Sequence, residues 1–230
     1  MKFVSFIAAT AVALALSTGC VFNVNSNSGK VVRCKGPVVD KMMDFKDFEK
    51  IVINGSSDIK VLQGEDFLVT VHANEEVFDH LNYRVENGVL MLETIDKVNI
   101  VAEEFDITVA LPQLTHFTVN GAADADMNGY SSSEDLAVLV NGAGEITFGT
   151  VAVPNLSVTV NGAGDIDLTN IEVESLKVDV HGAGDVTVSG KADQAQFNVS
   201  GVGDIDATGL DCDDVHTAKS GVASIRTKKS

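Results

Sequence analysis

One six-residue unit recurs along this chain at a nearly fixed interval, and that interval constrains the fold more than any other property of the sequence. It reads Asn120-Gly121-Ala122-Ala123-Asp124-Ala125, then Asn141-Gly142-Ala143-Gly144-Glu145-Ile146, then Asn161-Gly162-Ala163-Gly164-Asp165-Ile166. It continues as His181-Gly182-Ala183-Gly184-Asp185-Val186, Ser200-Gly201-Val202-Gly203-Asp204-Ile205 and a decayed Ser220-Gly221-Val222-Ala223-Ser224-Ile225. From Gly121 through Gly142, Gly162, Gly182 and Gly201 to Gly221 the steps are 21, 20, 20, 19 and 20 residues. Self-similarity at such a period marks an array whose repeats bury their apolar faces on one another.

The segments around each unit alternate. Leu136, Val138 and Val140 precede one turn, and Ile146 and Phe148 follow it; Leu156, Val158, Val160 and then Ile166, Leu168 repeat the arrangement. Period-two alternation rich in Val, Ile and Thr predicts half-buried strands and gives no 3.6-residue helical face. Two or three short strands per 20 residues make one coil, so the expected fold is an all-β, parallel β-solenoid (β-helix) with coils stacked about 4.8 Å apart. The repeated glycines, with Gly55 as an outlying copy, supply corners where positive φ or close backbone approach would penalise a Cβ.

Gly55, in Asn54-Gly55-Ser56-Ser57-Asp58-Ile59, lies 66 residues before Gly121, an interval read as three coils of 22. Phe67 to Val71, Val89 to Leu92 and Phe105 to Leu111 read as strands of wider, irregular coils, the last ended by Pro112. Residues 75–81 read as a loop or single helical turn. Val215, Thr217 and Lys219 stand where other coils carry apolar triplets, a polar decay that caps a solenoid. The domain scheme is then irregular coils over 30–112 and regular coils over 113–230.

The first 29 residues differ in kind. Lys2 followed by an apolar run from Phe3 to Leu16 is too short to span a bilayer and reads as a signal peptide over 1–19. Leu16-Ser17-Thr18-Gly19-Cys20 is similar to a bacterial lipobox, with Ser17 where a Leu is commonest, which makes Cys20 the expected lipidation site. Residues 20–29 then form a polar tether, and the protein is anchored through its N-terminal lipid rather than spanning. In an exported chain Cys34 and Cys212 permit one disulfide. Their places near opposite ends of a stack oppose it, because a bridge needs Cα atoms within about 7 Å.

The Asn/Ser-Gly-Ala-Gly-Asp-Ile turns, after the opening Phe48-Glu49-Lys50-Ile51-Val52-Ile53-Asn54-Gly55, resemble the GIN head domain of the auto-transporter adhesin family, a domain of unknown function in exported Gram-negative proteins. The resemblance covers roughly residues 30–227. It implies a right-handed parallel β-helix and an adhesin-like role, and brings no catalytic residues with it. Ala125 and Ser224 depart from the turn pattern.

Stacking aligns Asp124, Glu145, Asp165, Asp185 and Asp204 in one column, with Asp126, Asp167 and Asp206 two residues on. Charges about 5 Å apart repel by roughly 1 kcal/mol per pair in water, which a divalent cation would relieve. Gly-x-Gly-Asp-x-Asp is similar to the calcium-binding nonapeptide repeat, and Ca²⁺ prefers such oxygen ligands. The period here is twenty rather than nine, and Thr147 and Thr187 replace the second carboxylate. The competing reading, which carries more weight, has each Asp accepting hydrogen bonds from its own corner's backbone. No cofactor is therefore expected beyond a structural Ca²⁺ held as the lesser alternative. Asn120, Asn141 and Asn161 are expected to form a side-chain ladder continued by His181, Ser200 and Ser220.

Thirty-three acidic against 16 basic residues give a net charge of −17, which disfavours nucleic acid and anionic lipid headgroups as partners. His72, His80, His116 and His216 lack metal-ligand spacing. Arg33, Arg84 and Arg226 read as isolated, and no long loop interrupts coils 121–221 to build a cleft. Tyr83 and Tyr130 are too few for an aromatic sugar platform. The sequence thus points to a lipid-anchored cell-envelope protein of the outer membrane, non-catalytic and adhesin-like, binding a glycan or protein. A structural or stress-related periplasmic lipoprotein is the alternative, and a polysaccharide-active β-helix enzyme the more distant one. Exposed end coils leave oligomerisation open.

Overall fold

The computed structural model describes residues 30–95 and 98–228; the expected signal peptide, Cys20 and the tether lie outside the described residues. The chain enters through β1 (Val31–Arg33) and β2 (Val38–Met43), then β3 (Lys50–Asn54) and β4 (Ser56–Gln63), which flank the first Asn-Gly corner. β5 (Leu68–Asn74), a 3₁₀ turn (Glu75–His80), β6 (Arg84–Glu86), β7 (Val89–Glu93), β8 (Asn99–Val101) and β9 (Phe105–Leu111) follow. The regular part runs β10 (His116–Val119), β11 (Ala122–Met127), β12 (Tyr130–Ser131), β13 (Leu136–Val140) and β14 (Ala143–Phe148). Its longer strands, β15 (Val151–Val160), β16 (Ala163–Val180), β17 (Val186–Asp211) and β18 (Asp214–Thr227), bend around the corners.

Parallel pairing holds the repeats in register, with one shift between Leu168 and Ile171. Leu136 pairs with Leu156 and Leu156 with Leu176; Ile146 pairs with Ile166 and Ile166 with Val186; Tyr130 pairs with Val151 and Val151 with Ile171. These three columns define the three faces of each coil and confirm the β-solenoid with 20-residue coils. Alternation sends Val119, Val140, Val160, Val180 and Val199 inward as one buried column, and Phe117, Val138, Val158, Val178 and Phe197 as the next. With no Trp in the chain, Val, Ile and Leu fill most of the interior. Tyr130 is held within it because its hydroxyl accepts from the Leu114 N–H and donates to the Leu114 carbonyl, both at 2.8 Å.

The 66-residue interval between Gly55 and Gly121 is not three coils. β3 pairs directly with β10, Ile51 against Phe117, and β4 pairs directly with β11, Ile59 against Ala125. The strands between them lie on the other side of β3 and β4: β7 pairs with β3, and β9 with β4. Order along the stack therefore departs from order along the chain, with residues 89–111 outside residues 50–63. Beyond that outer layer the pairing turns antiparallel, β5 on β9, β2 on β5 and β6 on β7, so this end is closed by hairpin-like strands rather than wide coils. Asn74, wholly buried, ties the closure together: its Nδ2 donates to Gly36 O at 2.7 Å and its Oδ1 accepts from Glu103 N at 2.8 Å. At the far end Thr217, Lys219 and Ser220 are exposed on β18, as the polar decay requires.

The glycine corners owe their residue type mainly to stacking distance. A Cβ on Gly121, Gly142, Gly162 or Gly182 would come closer than 3.0 Å to the carbonyl oxygen of the preceding corner glycine, a backbone atom with no freedom to move aside. Gly162→Ala is therefore expected to cost at least about 3 kcal/mol, read by urea unfolding, whereas exposed Ala163→Ser stays within about 0.5 kcal/mol.

Candidate functional site

Three polar features line the outside of the stack, each produced by the same register that aligns the core. The acidic column extends beyond the repeats: Asp58 is the register neighbour of Asp106 on one side and Asp124 on the other, and Glu145 pairs with Asp165. Asp58 and Asp106 escaped the sequence reading because coil order at that end is not chain order, although Asp58 sits in a recognisable turn unit. Partial burial, with Asp124 and Asp106 alongside, raises the Asp58 carboxyl above its ordinary range.

Four carboxylates of this column, Asp124, Asp165, Asp185 and Asp204, bond between coils, not within their own corner as expected. Asp124 Oδ1 accepts from Glu145 N at 2.9 Å, Asp165 Oδ1 from Asp185 N at 3.0 Å, Asp185 Oδ1 from Asp204 N at 2.9 Å and Asp204 Oδ1 from Ser224 N at 3.0 Å. Each aspartate thus caps an amide one coil further along. The second row bonds locally: Asp167 accepts from Thr169 Oγ1 at 2.8 Å, and Asp206 from Thr208 Oγ1 at 2.7 Å and Thr208 N at 3.1 Å. Those Thr208 bonds, with Arg226 beside them, hold Asp206 below the usual carboxylate range. No group of three or more His, Cys, Asp or Glu arranged to hold a metal ion occurs among the described residues.

The asparagine ladder forms on the exposed corner. Asn161 Nδ2 donates to Asn141 Oδ1 at 2.8 Å, Asn141 Nδ2 to Asn120 Oδ1 at 2.8 Å, and Asn120 Nδ2 to Asn54 Oδ1 at 2.9 Å. Every amide donates in the same direction, and the series ends where Asn54 Nδ2 donates to Glu93 Oε2 at 3.3 Å. Asn82 Nδ2 donates to Glu93 Oε1 at 2.8 Å, and the Arg84 guanidinium pairs with that same oxygen. Arg84 also donates to Glu86 at 2.8 Å, and Arg226 pairs with Asp206 at 3.1 Å, so neither arginine is isolated. The Arg84 bond holds the Glu93 carboxyl below its usual range, assisted by Asn54 and Asn82. At the other end of the series His181 Nδ1 lies 3.2 Å from Ser200 Oγ, the expected substitute rung.

Two concavities accompany these features. One of about 710 Å³ on the third face is lined by Glu172, Glu174, Asp193 and Lys191 over Val153 and Val173. One of about 640 Å³ lies where the ladder meets Glu93. Nothing in the residue pattern points to the second, because Glu93, Asn82 and Asn99 come from the segment threaded outside the first corner. Cys34, buried, and Cys212, half-buried, are both free. Burial pushes each thiol up, and nearby acids add to the effect.

A parallel stack of coils whose corners carry aligned amide and carboxylate ladders defines a structural class, that of the repetitive parallel β-solenoids. Residues 47–230 match the family described as "Putative auto-transporter adhesin, head GIN domain", and the chain belongs to it. Among solved structures it is similar to a "Putative lipid binding protein" of Parabacteroides distasonis, at 19% identity and TM-score 0.72, covering 87% of this chain and 98% of that one. A "putative adhesin" of Bacteroides fragilis is similar at 16% identity and TM-score 0.67, covering 85% of this chain and 99% of that one. Another, from Parabacteroides merdae, aligns at 15% identity and TM-score 0.52, over 86% and 98%. These likenesses establish a shared fold. A search of curated proteins found no match.

Two outcomes test the ladders. Asp185→Asn keeps the acceptor oxygen and removes the charge, so its melting temperature should stay within about 2 °C of the parent, while Asp185→Ala should lose about 2–4 °C. For Glu93 the folded-state pKa lies below the unfolded one, so its contribution is full above about pH 4.5 and is lost as pH falls through the folded value. The advantage of the parent over Glu93→Gln in urea unfolding should therefore shrink as pH drops below about 4.5.

Proposed function

We propose that this chain is a lipid-anchored cell-envelope protein that presents a rigid, non-catalytic solenoid to a glycan or protein ligand. The observation that carries the reading is the register itself. From residue 116 to residue 227 each coil pairs in parallel register with its neighbour, with one shift between Leu168 and Ile171, so the outward side chains form long polar faces. Fixed faces suit recognition, because little conformational freedom is lost on binding. Membership of a family of adhesin heads supports the same reading. Asp124, Asp165, Asp185 and Asp204 bond to amides between coils, and Asp167 and Asp206 to threonines within them, which supports a structural role for the acidic column. A lipid-binding role, borrowed from the Parabacteroides distasonis neighbour, has less support here: the coil interior is filled by side chains such as Val138, Val158, Val178 and Phe197, exposed by 2% or less.

Anchoring is tested by expressing the full chain and Cys20→Ser in a Gram-negative host with labelled palmitate. The parent should carry label and sediment with membranes, and Cys20→Ser should do neither. Presentation is tested by protease shaving of intact cells: cleavage of the parent supports an outward-facing adhesin-like role, and full protection removes it in favour of a periplasmic one.

A further inference from the structure

We propose that the cleft at the N-terminal end of the asparagine ladder is a binding site for a neutral saccharide, an inference that rests on the ligand-presenting role above. The cleft encloses about 640 Å³, within the range of small-ligand sites, and is lined by the amides of Asn54, Asn82, Asn99 and Asn120 together with Glu93 and Thr94. It exists because the stack is interrupted there. The coil that carries Gly55 pairs with its outer neighbour as far as Asn54–Glu93 and resumes at Asp58–Asp106. Between those points Gly55, Ser56 and Ser57 have no strand partner on that side among the described residues. Gly55 correspondingly has nothing within 4 Å of its Cβ position, whereas Gly121, Gly142, Gly162 and Gly182 each face a carbonyl.

Asn54, Asn82, Glu93, Thr94 and Asn120 are held by hydrogen bonds around this opening yet incompletely used, and Asn99 is exposed beside them. A primary amide has two N–H donors and two acceptor lone pairs. Asn54 donates once, to Glu93, and accepts once, from Asn120, which leaves one of each. Glu93 is held by Asn54, Asn82 and Arg84 and keeps one of its four lone-pair positions. Thr94 is oriented by donating its hydroxyl to Val98 O at 2.9 Å, and Val98 is nearly buried, giving the cleft an apolar side. Adjacent sugar hydroxyls, each donor and acceptor at once, match such amide and carboxylate edges, while C–H faces match the apolar side. Preorganisation of this kind lowers the ordering cost of binding.

Charge selects among saccharides. Arg84, the cation bonded to Glu93, is committed to Glu93 and Glu86, and Glu93 is held ionised, so an acidic sugar meets repulsion rather than a partner. An extended peptide fits less well. Only three residues lack a strand partner, between paired segments on both sides, which is too short an edge for strand addition.

The test uses the mature full-length chain on an array of neutral and of sialylated or uronic oligosaccharides, with immobilised collagen and fibronectin alongside. Asn82→Ala and Asn99→Ala alter exposed side chains in the cleft, and Asn161→Ala breaks the ladder two corners beyond Asn120. Retention of the parent's melting temperature verifies that each variant folds. The expected result is binding to a neutral oligosaccharide, weakened about tenfold by Asn82→Ala and by Asn99→Ala and unchanged in Asn161→Ala. Equal binding by all variants, binding confined to acidic sugars, or no saccharide binding overturns the proposal. In that last case, matrix-protein binding by the parent leaves the broader role standing, and its absence removes both.

Discussion

The close approach of one coil to the next at the glycine corner is the constraint on which the rest of the structure depends. Backbone meets backbone there at a separation that excludes even a methyl group, so each corner sits directly over the last. Once corners are superposed, the flanking strands have no freedom to slip, and a one-residue slip would in any case turn every core side chain outward. Valine therefore falls on valine and leucine on leucine, and the core is built as columns rather than as an irregular mosaic. Small β-branched residues suffice for such a core because each column needs only to match itself.

The same superposition turns repeated polar residues into directional chains. Asparagine amides, each giving to the preceding coil, form a series whose bond dipoles add, and such chains strengthen cooperatively. It terminates on a carboxylate that is itself clamped by a guanidinium, so the negative charge lies at the accepting end. The aspartate column runs its bonds the same way, with a carboxylate on one coil accepting from a backbone amide of the next. Glu145 interrupts it: no bond from Asp165 N to Glu145 occurs among the described residues, as the longer side chain would lead one to expect. The acidic repetition that first suggests ion binding also supplies backbone caps, four of its carboxylates each accepting an amide from the next coil.

Much of this was legible in the sequence because the period, the alternation and the turn chemistry all report on local register. For that reason the strands read at 89–92 and 105–111 coincide with Val89–Glu93 and Phe105–Leu111, and the loop or helical turn read at 75–81 with the 3₁₀ turn Glu75–His80. What the sequence concealed is the spatial order of the N-terminal strands. A parallel neighbour and an antiparallel one present the same alternating pattern, so residues 64–115 read as wide coils when they in fact double back around Gly55. The cleft depended on that rearrangement, with Glu93, Asn82 and Asn99 brought to a corner they do not adjoin in sequence. Bond direction was hidden as well: an aspartate at a corner has its own amides and a neighbour's within reach, and only the three-dimensional stack decides between them.

The displaced first layer also governs how the stack is assembled. Residues 50–63 are covered on one side by residues 89–111 and on the other by residues 116–127, so their outer pairing cannot close until some 50 further residues are available to fold back. Closing so long a loop is entropically slow compared with adding a neighbouring strand. From residue 116 onward each coil contacts the one before it about 20 residues earlier and is laid down on a finished template. Emerging from a membrane pore N-terminus first, such a chain would spend its effort once, on a foundation, and then lengthen in short, nearly identical increments. The length of the rod is thereby separated from the difficulty of starting it, which lets coils be gained or lost in the regular part without disturbing the end that carries the cleft.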